Sequence, residues 1–541
     1  MVETILTPEG QIELSQVSQA LLQAVKTIKP KRKPDDYTKI SVSRAVSFFA
    51  IAYEKVRNTI EFREEHLMRR AAIARIAKRR LSMNPTGEGE GSNIIRELLW
   101  ARYFPQDSLS EIDSSEVQSI IDIYINLRAA LITGRPRDAI QYFDKFLYDL
   151  LTCEIEEVLT PDISQRENLF TYFIFQLLKD KIKIPNIDQD TQNAFLLTTI
   201  EKTYRKSDIA YQRYHLFNVF YQPLAKYTVQ DLKNLAPKLP KIFEKIDDTL
   251  RNPLIDKIGK FVKKQLPPFL ILFDLIKTYS QEDLKALLTD KAKLWSEVDL
   301  LCRQKYAGVQ KRLRALAIRS LIYVFITKML LAIALEGPLS QYFFGEVEWM
   351  SIVINSLFPP FFMLIIILFN RIPDEENTRR IFQRIIDILD ADVSYEKKVV
   401  LIAQKIKTRR PALQIGFSIF YTATFIVTFY LIWLLLSALS FNIISQLIFL
   451  FFVSTIAFFA HRIKNVTNEY KLVEKDSFFT PFFDFFFMPM LAMGKFFSSE
   501  LAKLNFFTFI FDIIIEAPYK LIIEVVEEWI SFTRTKKEEI I

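Results

Sequence analysis

Glycine is scarce in this chain, with 11 of 541 residues, where ordinary usage of about 7% would give roughly 38. Glycine-rich phosphate loops and glycine-lined helix contacts are therefore expected to be few. Cysteine is scarcer still, since only Cys153 and Cys302 occur, far apart in the chain. Their spacing fits neither a disulfide framework nor a metal site, and it suits a reducing compartment.

Recognisable catalytic motifs are also missing. The sequence contains no nucleophile elbow, no P-loop and no kinase signature. His66, His215 and His461 have no histidine or cysteine at metal-ligand spacing. The first residues lack a charged region followed by an apolar one, which predicts no cleavable signal peptide. We therefore expect a protein that is not an enzyme and that uses no cofactor and no metal.

The composition indicates a soluble part joined to a membrane part. Hydrophobic residues make up 50% of the chain and charged residues 25%, with a net charge of +8. A disordered protein would be less apolar, and a wholly embedded protein would be less charged. Where the apolar and the basic residues lie therefore matters more than how many there are.

Four apolar segments predict transmembrane helices, because about 20 apolar residues cross a hydrocarbon layer of about 30 Å. The predicted spans are residues 320–335, 349–370, 412–439 and 442–460. Lysine and arginine are concentrated in 301–319, in the 371–411 loop and after 460, whereas the two turnarounds between paired spans have none. By the positive-inside rule, this pattern predicts a multi-pass protein of the cell membrane with cytoplasmic N- and C-termini.

The predicted fold class is all-α: a multi-span helical membrane protein with a large N-terminal helical cytoplasmic domain and a C-terminal interfacial or re-entrant helical segment. Residues 1–40 are expected to form a polar basic tail. Residues 41–310 form the cytoplasmic domain, in which apolar residues recur at threes and fours and a flexible linker is expected near 84–92. The transmembrane region covers 311–470.

Residues 471–541 form a Phe-rich segment followed by an amphipathic helix at 519–539. The apolar runs of this segment are broken by Pro481, Asp484 and Pro489, and short interrupted runs lie in the membrane interface or re-enter from one side. If 478–493 and 506–515 both crossed, the C-terminus would remain in the cytoplasm. If one of them crossed, the C-terminus would lie outside.

Lys328 is the only ionisable residue near the middle of a predicted span, which makes it a candidate functional residue. Asn355 lies at a similar depth in the antiparallel second span, so the two side chains can meet. The alternative is that Lys328 extends to the membrane surface. Pro359 and Pro360 interrupt the second span, and they either free carbonyls for an ion site or kink the helix for packing.

A basic cluster lies at the end of the first long predicted helix and consists of Arg69, Arg70, Arg75, Lys78, Arg79 and Arg80. It is a candidate patch for anionic lipid headgroups or for a protein partner. The alternative is a solvated helix face that complements a helix C-terminus. Nucleic acid is not expected as a partner, because neither an aromatic platform nor a recognised binding fold accompanies the cluster.

The sequence leaves three functions open. The leading hypothesis is a membrane-anchored scaffold or assembly protein that binds a protein partner or self-associates, because most of the chain is expected to be helical and cytoplasmic. The alternative is a channel or transporter that uses Lys328, Asn355 and the Pro359–Pro360 kink, although the scarcity of glycine disfavours closely packed moving helices. The third is a membrane enzyme acting on lipid, which rests on the Phe-rich segment alone.

Overall fold

The protein is described by a computed structural model at residues 10–28, 31, 39–40, 42, 65–345, 349–369, 373–390, 400–401, 411–467, 469–472, 488–497, 525, 529, 532 and 533. Within these residues the predicted all-α class is confirmed, because regular structure is helical apart from two-residue strands and isolated bridges. Residues 1–9, 29–30 and 32–38 of the basic tail, the start of the first long helix and most of the Phe-rich and C-terminal segments lie outside the described residues.

The chain divides into two compact units. Unit 1 comprises residues 1–13, 264–390 and 405–508, and unit 2 comprises residues 14–263, 391–404 and 509–541. The division near 263 falls inside one continuous helix, whereas the sequence placed its main boundary near 310. The helix Pro253–Thr278 runs through this division and contains Pro267 and Pro268 shortly after it. The predicted domain limits stay predictions.

Unit 2 is a stack of helices joined by short turns. Its helices are α1 (Gln16–Thr27), α2 (Glu65–Met83), α3 (Glu90–Trp100), α4 (Glu111–Ile132), α5 (Arg137–Leu159), α6 (Pro161–Leu178), α7 (Gln189–Thr203), α8 (Ile209–Phe220), α9 (Val229–Leu235), α10 (Leu239–Arg251) and the first part of α11 (Pro253–Thr278), with 3₁₀ turns at Lys179–Lys181 and Leu224–Lys226. Strand β1 (Ile182–Lys183) pairs in parallel with β2 (Val400–Leu401). One apolar cluster, with members from Ile40 to Ile246, lines the inner faces of α2 to α5 and of α7 to α10.

The glycine-containing segment expected to be a flexible linker is a packed turn between α2 and α3. Gly87 has a φ of +71°, and its carbonyl accepts a hydrogen bond from Gln118 Nε2 over 2.8 Å. The same side chain accepts from the Gly91 amide over 2.9 Å. Composition indicated a loop, but only the fold supplies Gln118 of α4 to hold it in place. The connection therefore fixes α3 against α4.

Unit 1 contains the rest of α11 and the longer helices of the chain. These are α12 (Gln281–Thr289), α13 (Lys291–Leu331), a π-helical turn (Ala332–Glu336), α14 (Gly337–Phe344), α15 (Trp349–Phe369), α16 (Glu375–Leu389), α17 (Pro411–Ala438) and α18 (Ile443–Thr467), and residues 488–497 are also helical. Helices α13, α15 and α18 pack on one another through small apolar clusters around Met363 and Phe449. Together they form the bundle that holds the candidate site.

One helix among the described residues has the length and composition of a membrane span, at Ile415–Ala438 within α17. Two shorter apolar helices, Trp349–Ile365 and Ile443–Phe458, lie in the second and fourth predicted spans. The first predicted span, 320–335, comprises the C-terminal part of α13 and most of the π-helical turn, and it is continuous with the charged residues before it. Helix length and composition alone support one crossing weakly, so the four-span topology stays a prediction.

Candidate functional site

Lys328, Glu336 and Asn355 meet inside unit 1, and we call these three residues the ionic centre. Lys328 Nζ donates to Glu336 Oε2 over 2.9 Å, and Asn355 Nδ2 donates to Glu336 Oε1 over 2.8 Å. All three residues are 0% exposed. Lys328 therefore does not extend to the surface, and it reaches Asn355 through the carboxylate of Glu336 rather than through the direct contact that the sequence suggested.

The π-helical turn explains how Glu336 reaches Lys328. Eight residues separate the two, and a regular α-helix turns by about 80° beyond two full turns over that distance. The wider turn Ala332–Glu336, closed by a hydrogen bond from the Gly337 amide to the Ala332 carbonyl, contains more residues per turn. It therefore rotates Glu336 back toward the face of Lys328. Isolated π-helical turns of this kind are frequent at functional sites.

The centre is electrically balanced and surrounded by apolar groups. One lysine faces one carboxylate, and the Lys328 ammonium lies 5.2 Å from the centroid of the Phe452 ring of α18. Removing two charges from water is costly, and only close pairing with further hydrogen bonds makes such a site stable. Loss of either partner would leave an uncompensated charge in the bundle.

Several oxygens at the centre are not used by this pairing. Among the described residues, Asn355 Oδ1 and Ser445 Oγ are buried without a hydrogen-bond partner. Ser445 belongs to the site because its carbonyl accepts from Asn355 Nδ2 over 3.1 Å. Leaving a buried acceptor unpaired costs about 1–3 kcal/mol of folding stability. Such groups are few in native proteins, and each therefore needs an explanation such as a functional role. The centre thus has acceptor capacity beyond what its own donors fill.

The two prolines add to this capacity through α15. Pro359 and Pro360 are buried, and the helix continues past them to Phe369. A proline has no N–H, so the Asn355 main-chain carbonyl has no helical donor at position 359. The structure therefore relates the two prolines to the ionic centre through Asn355, one turn earlier.

Further polar contacts lie at the same end of the bundle. Asn442 Nδ2 donates to Ser340 Oγ over 2.9 Å, and Ser351 Oγ donates to the Ser440 carbonyl over 3.1 Å. These contacts join α14 and α15 to the turn between α17 and α18. Ser340 and Ser351 are both buried, so polar contacts hold these helices together inside this end of the bundle.

The sequence missed Glu336 because it placed that residue in the turnaround after the first span. An α-helical register also puts position 336 off the face of Lys328. The one available signal was an acidic residue directly before Gly337–Pro338, at the end of an apolar helix with a buried lysine. Buried charges are almost always paired, so a search for the partner of Lys328 would have led there.

The basic cluster of α2 is used mainly inside unit 2. Arg69 Nε lies 2.9 Å from Glu156 Oε1, Arg70 pairs with Asp208, and Arg79 and Arg80 both pair with Glu97. Arg75 is half-buried, and Lys78 is the exposed member of the six. The expected lipid or partner patch is therefore not a continuous surface. Helix periodicity could not reveal this, because the acidic partners lie on α3, on α5 and before α8.

These ion pairs are part of a larger buried polar network. Glu156 also accepts a hydrogen bond from Tyr211, and burial raises the pKa of its carboxyl against the opposing effect of Arg69. Arg213 of α8 donates to Asp149 over 2.6 Å and to Asp247 over 2.8 Å. The network joins α2, α5, α8 and α10 by charge as well as by apolar packing.

No cluster of three or more His, Cys, Asp or Glu residues with metal-binding geometry occurs in the described part of the chain. A scan against protein-family models, a search of curated proteins and a search of solved structures each found no match. Functional inference therefore rests on the geometry of the molecule itself.

Proposed function

We propose that this chain is an integral membrane protein in which the ionic centre serves ion-coupled transport. Two separate observations support the two halves of this proposal. The exposed face of α13 changes from basic to apolar along its length, which supports membrane insertion. The complete burial of a lysine and a glutamate in the apolar bundle supports transport.

The change along α13 occurs on one side of the helix. Tyr306, Val309 and Leu313 are buried and define its inner face. At about 100° per residue, the opposite face presents the exposed residues Lys311, Arg312, Arg314 and Arg319. The same face continues with large exposed apolar side chains: Ile318, Ile322, Phe325, Ile326 and Met329. A basic stretch next to an exposed apolar stretch is typical of the cytoplasmic headgroup boundary.

Exposed aromatic residues lie at the other end of the bundle. Tyr342 is 82% exposed and Trp349 is 72% exposed, and both residue types are enriched at membrane interfaces. The helical rise from position 319 to position 342 is about 35 Å, close to the hydrocarbon thickness of about 30 Å. We therefore place Arg319 at the cytoplasmic boundary and Tyr342 at the outer one.

Transport is supported by the ionic centre, which is the observation that carries this function. Ionisable residues inside a membrane bundle are costly, and they mark ion pathways and proton relays. Here the lysine and the glutamate are accompanied by a π-helical turn, a helix that contains two prolines, and unpaired oxygens. A purely structural pair would not need the unpaired oxygens, because each adds a cost without a compensating bond.

Membrane insertion and orientation can be tested by cysteine labelling. In a Cys153→Ser/Cys302→Ser background, Tyr342→Cys should react with a membrane-impermeant maleimide in intact cells. Arg319→Cys should react only after the membrane is permeabilised. Labelling of Arg319→Cys but not Tyr342→Cys in intact cells would reverse the proposed orientation, and recovery of the chain in an alkaline carbonate extract would contradict insertion.

Transport can be tested with the purified full chain in liposomes that contain a pH-sensitive dye. We expect a proton flux in the presence of alkali cations that falls at least tenfold in Glu336→Gln. Lys311→Gln, which removes an exposed lysine of the same helix, serves as the matched control and should keep the wild-type flux. Equal flux in Glu336→Gln and wild type would contradict a transport role for the ionic centre.

A scaffold function is the second candidate, and the ion-pair network of unit 2 favours it. Arg213 ties α8 to α5 and α10, and such buried pairs can fix the arrangement of helices. Proximity labelling with the full chain in cells should recover a reproducible partner set that Arg213→Met loses and Glu336→Gln keeps. An identical partner set for Arg213→Met and wild type would count against this candidate.

A further inference from the structure

We infer that α13 binds an anionic phospholipid along one exposed stripe of its surface. This inference rests on the membrane insertion proposed above, and it names the lipid class and the residues that hold it. The members of the stripe alternate at spacings of three and four positions, which places them on one face of a helix. They are Arg312, Ala315, Arg319, Ile322, Ile326 and Met329, and we call them the lipid stripe.

The positive charge of the lipid stripe is not balanced within the described residues. No acidic residue occurs in the sequence from 300 to 335. The Arg312 side chain is 61% exposed, and its Nη1 lies 4.0 Å from Glu469 Oε2, which is too far for a hydrogen bond. Arg319 is exposed and forms no ion pair with another described residue. In contrast to the arginines of α2, these two can therefore take a counter-ion from outside the chain.

Ala315 leaves space between the two arginines. Arg312 lies three positions before it and Arg319 four positions after it, which are the spacings of neighbours on a helix surface. Long side chains on a helix lean toward its N-terminus, so we expect Arg319 to extend over Ala315 toward Arg312. A guanidinium group can bind a phosphate through two parallel hydrogen bonds. A phosphodiester group above Ala315 can therefore contact both arginines.

The apolar part of the lipid stripe favours a lipid over other anions. Ile322, Ile326 and Met329 are 51%, 51% and 44% exposed, and they follow Arg319 in the same continuous helix. The rise from Ile322 to Met329 is about 10 Å, which fits within one leaflet of about 15 Å of hydrocarbon. An acidic peptide or a nucleic acid would balance the arginines and leave these side chains exposed. A phospholipid supplies an anion and an acyl chain in the same order as the stripe.

The first experiment measures lipid binding by the purified full chain in neutral detergent. Phosphatidylglycerol should raise the Tm in a saturable manner, and phosphatidylcholine with the same acyl chains should not. Ala315→Glu places a carboxylate beside both arginines and should weaken the affinity for phosphatidylglycerol at least tenfold. Arg319→Gln, which adds no charge, should weaken it as well.

Gln304→Glu is the matched control for Ala315→Glu. It adds the same charge at an exposed position of α13, about 16 Å along the helix from Ala315, and it should keep the wild-type affinity. Equal losses in Ala315→Glu and Gln304→Glu would overturn the inference, as would equal Tm shifts for the two lipids.

The second experiment uses the wild-type chain alone. Glycerophosphoglycerol, which is the headgroup without acyl chains, and polyglutamate should both leave the Tm unchanged. A shift with polyglutamate as large as that with phosphatidylglycerol would indicate an acidic protein partner. An equally large shift with the headgroup alone would indicate a site for free anions. Either result overturns the assignment of a lipid.

Alkaline carbonate extraction separates this inference from the insertion on which it rests. A chain that stays in the membrane after extraction but does not prefer phosphatidylglycerol would support insertion and contradict the lipid stripe. A chain that is extracted but keeps a phosphatidylglycerol shift sensitive to Ala315→Glu would support the lipid stripe and contradict insertion.

Discussion

At the scale of single residues, pairing decides what a buried charge does to this molecule. Lys328 and Glu336 have no solvent exposure, and their mutual bond offsets the cost of taking both from water. His215 of α8 shows the opposite case, because burial and the nearby Arg205 lower its pKa to about 3. Pairing with Glu336 therefore stabilises the charged form of Lys328, whereas burial beside Arg205 favours the neutral form of His215.

Glu336→Gln is predicted to destabilise the protein because it leaves the Lys328 charge buried without a carboxylate. Breaking a buried pair costs about 3–5 kcal/mol of unfolding free energy. The double variant Lys328→Met/Glu336→Gln should recover most of this loss. Chemical unfolding of the full chain in detergent measures both values.

Glu375→Gln is the matched control for this prediction. It removes the partner of Arg379 in a pair 3.1 Å apart that is about half exposed on α16, and exposed pairs contribute less than about 1 kcal/mol. A loss in Glu336→Gln no larger than that of the control would show that the buried pair does not stabilise the bundle.

His215→Gln is predicted to reduce the acid sensitivity of unit 2. His215 Nε2 accepts a hydrogen bond from Arg205 Nη1 over 3.0 Å, so the folded state holds the neutral ring. Between pH 6.5 and pH 3, the unfolded chain binds a proton that the folded chain does not. The unfolding free energy therefore decreases as the pH decreases through this window. The contribution of His215 to this decrease is at most about 1.4 kcal/mol per pH unit.

The check is chemical unfolding of wild type and His215→Gln at pH 7, 6, 5 and 4. Buried carboxyls such as Glu156, with a raised pKa, act in the opposite direction, but they are present in both proteins and cancel in the difference. The wild type should lose stability relative to the variant as the pH falls below 6.5. Lys78→Gln, exposed on α2, should follow the wild type, and parallel curves for His215→Gln and wild type would refute the prediction.

At the scale of helices, two glycines stand at close crossings. A Cβ on Gly91 of α3 would lie 2.7 Å from the Ser114 carbonyl oxygen of α4. A Cβ on Gly494 would lie 2.0 Å from the Ser454 carbonyl oxygen of α18. Both contacts are with backbone, so a methyl group there requires the helices to separate. Glycine at these two positions therefore allows the two helices to approach this closely.

Gly494→Ala is predicted to destabilise the packing of helix 488–497 on α18. Overpacking against backbone costs about 1–3 kcal/mol, and the Tm of the full chain in detergent should fall accordingly. Gly416→Ala in α17 is the control, because nothing lies within 4 Å of its Cβ position. Alanine there should be neutral or stabilising by up to about 1 kcal/mol. Equal Tm changes for the two variants would contradict the close crossing.

At the scale of the whole molecule, the two units distribute polar and apolar residues differently. Unit 2 encloses an apolar core and ties its helices with ion pairs. Unit 1 exposes large apolar side chains on α13, α15 and α17 and buries Lys328, Glu336 and Asn355. The first arrangement is typical of a protein surrounded by water. The second is typical of helices whose outer faces contact lipid.

Each unit contains one buried cysteine, which gives each unit its own reporter of unfolding. Burial raises the pKa of Cys302 to about 11, and it raises the pKa of Cys153 more strongly. At neutral pH this raised pKa lowers the thiolate fraction of Cys302 about 100-fold. We predict that Cys302→Ser and Cys153→Ser, each with one thiol left, react with a maleimide at least about 100-fold more slowly when native than when denatured.

Labelling during a denaturant titration should then follow unit 2 through Cys153 and unit 1 through Cys302. A Lys78→Cys variant without native cysteines should react rapidly under native conditions, as an exposed thiol. Rapid reaction of either native cysteine in the folded protein would contradict the burial on which the reporters depend.

The sequence by itself determined the helical class, because apolar periodicity is a local property of each segment. It also identified Lys328, Asn355 and the two prolines as unusual, since polar and helix-breaking residues stand out within apolar runs. The tertiary structure alone decided that Glu336 completes the centre, through a π-helical turn that no α-helical register predicts. It also decided that the α2 arginines pair internally, because their acidic partners are distant in the sequence and near only after folding.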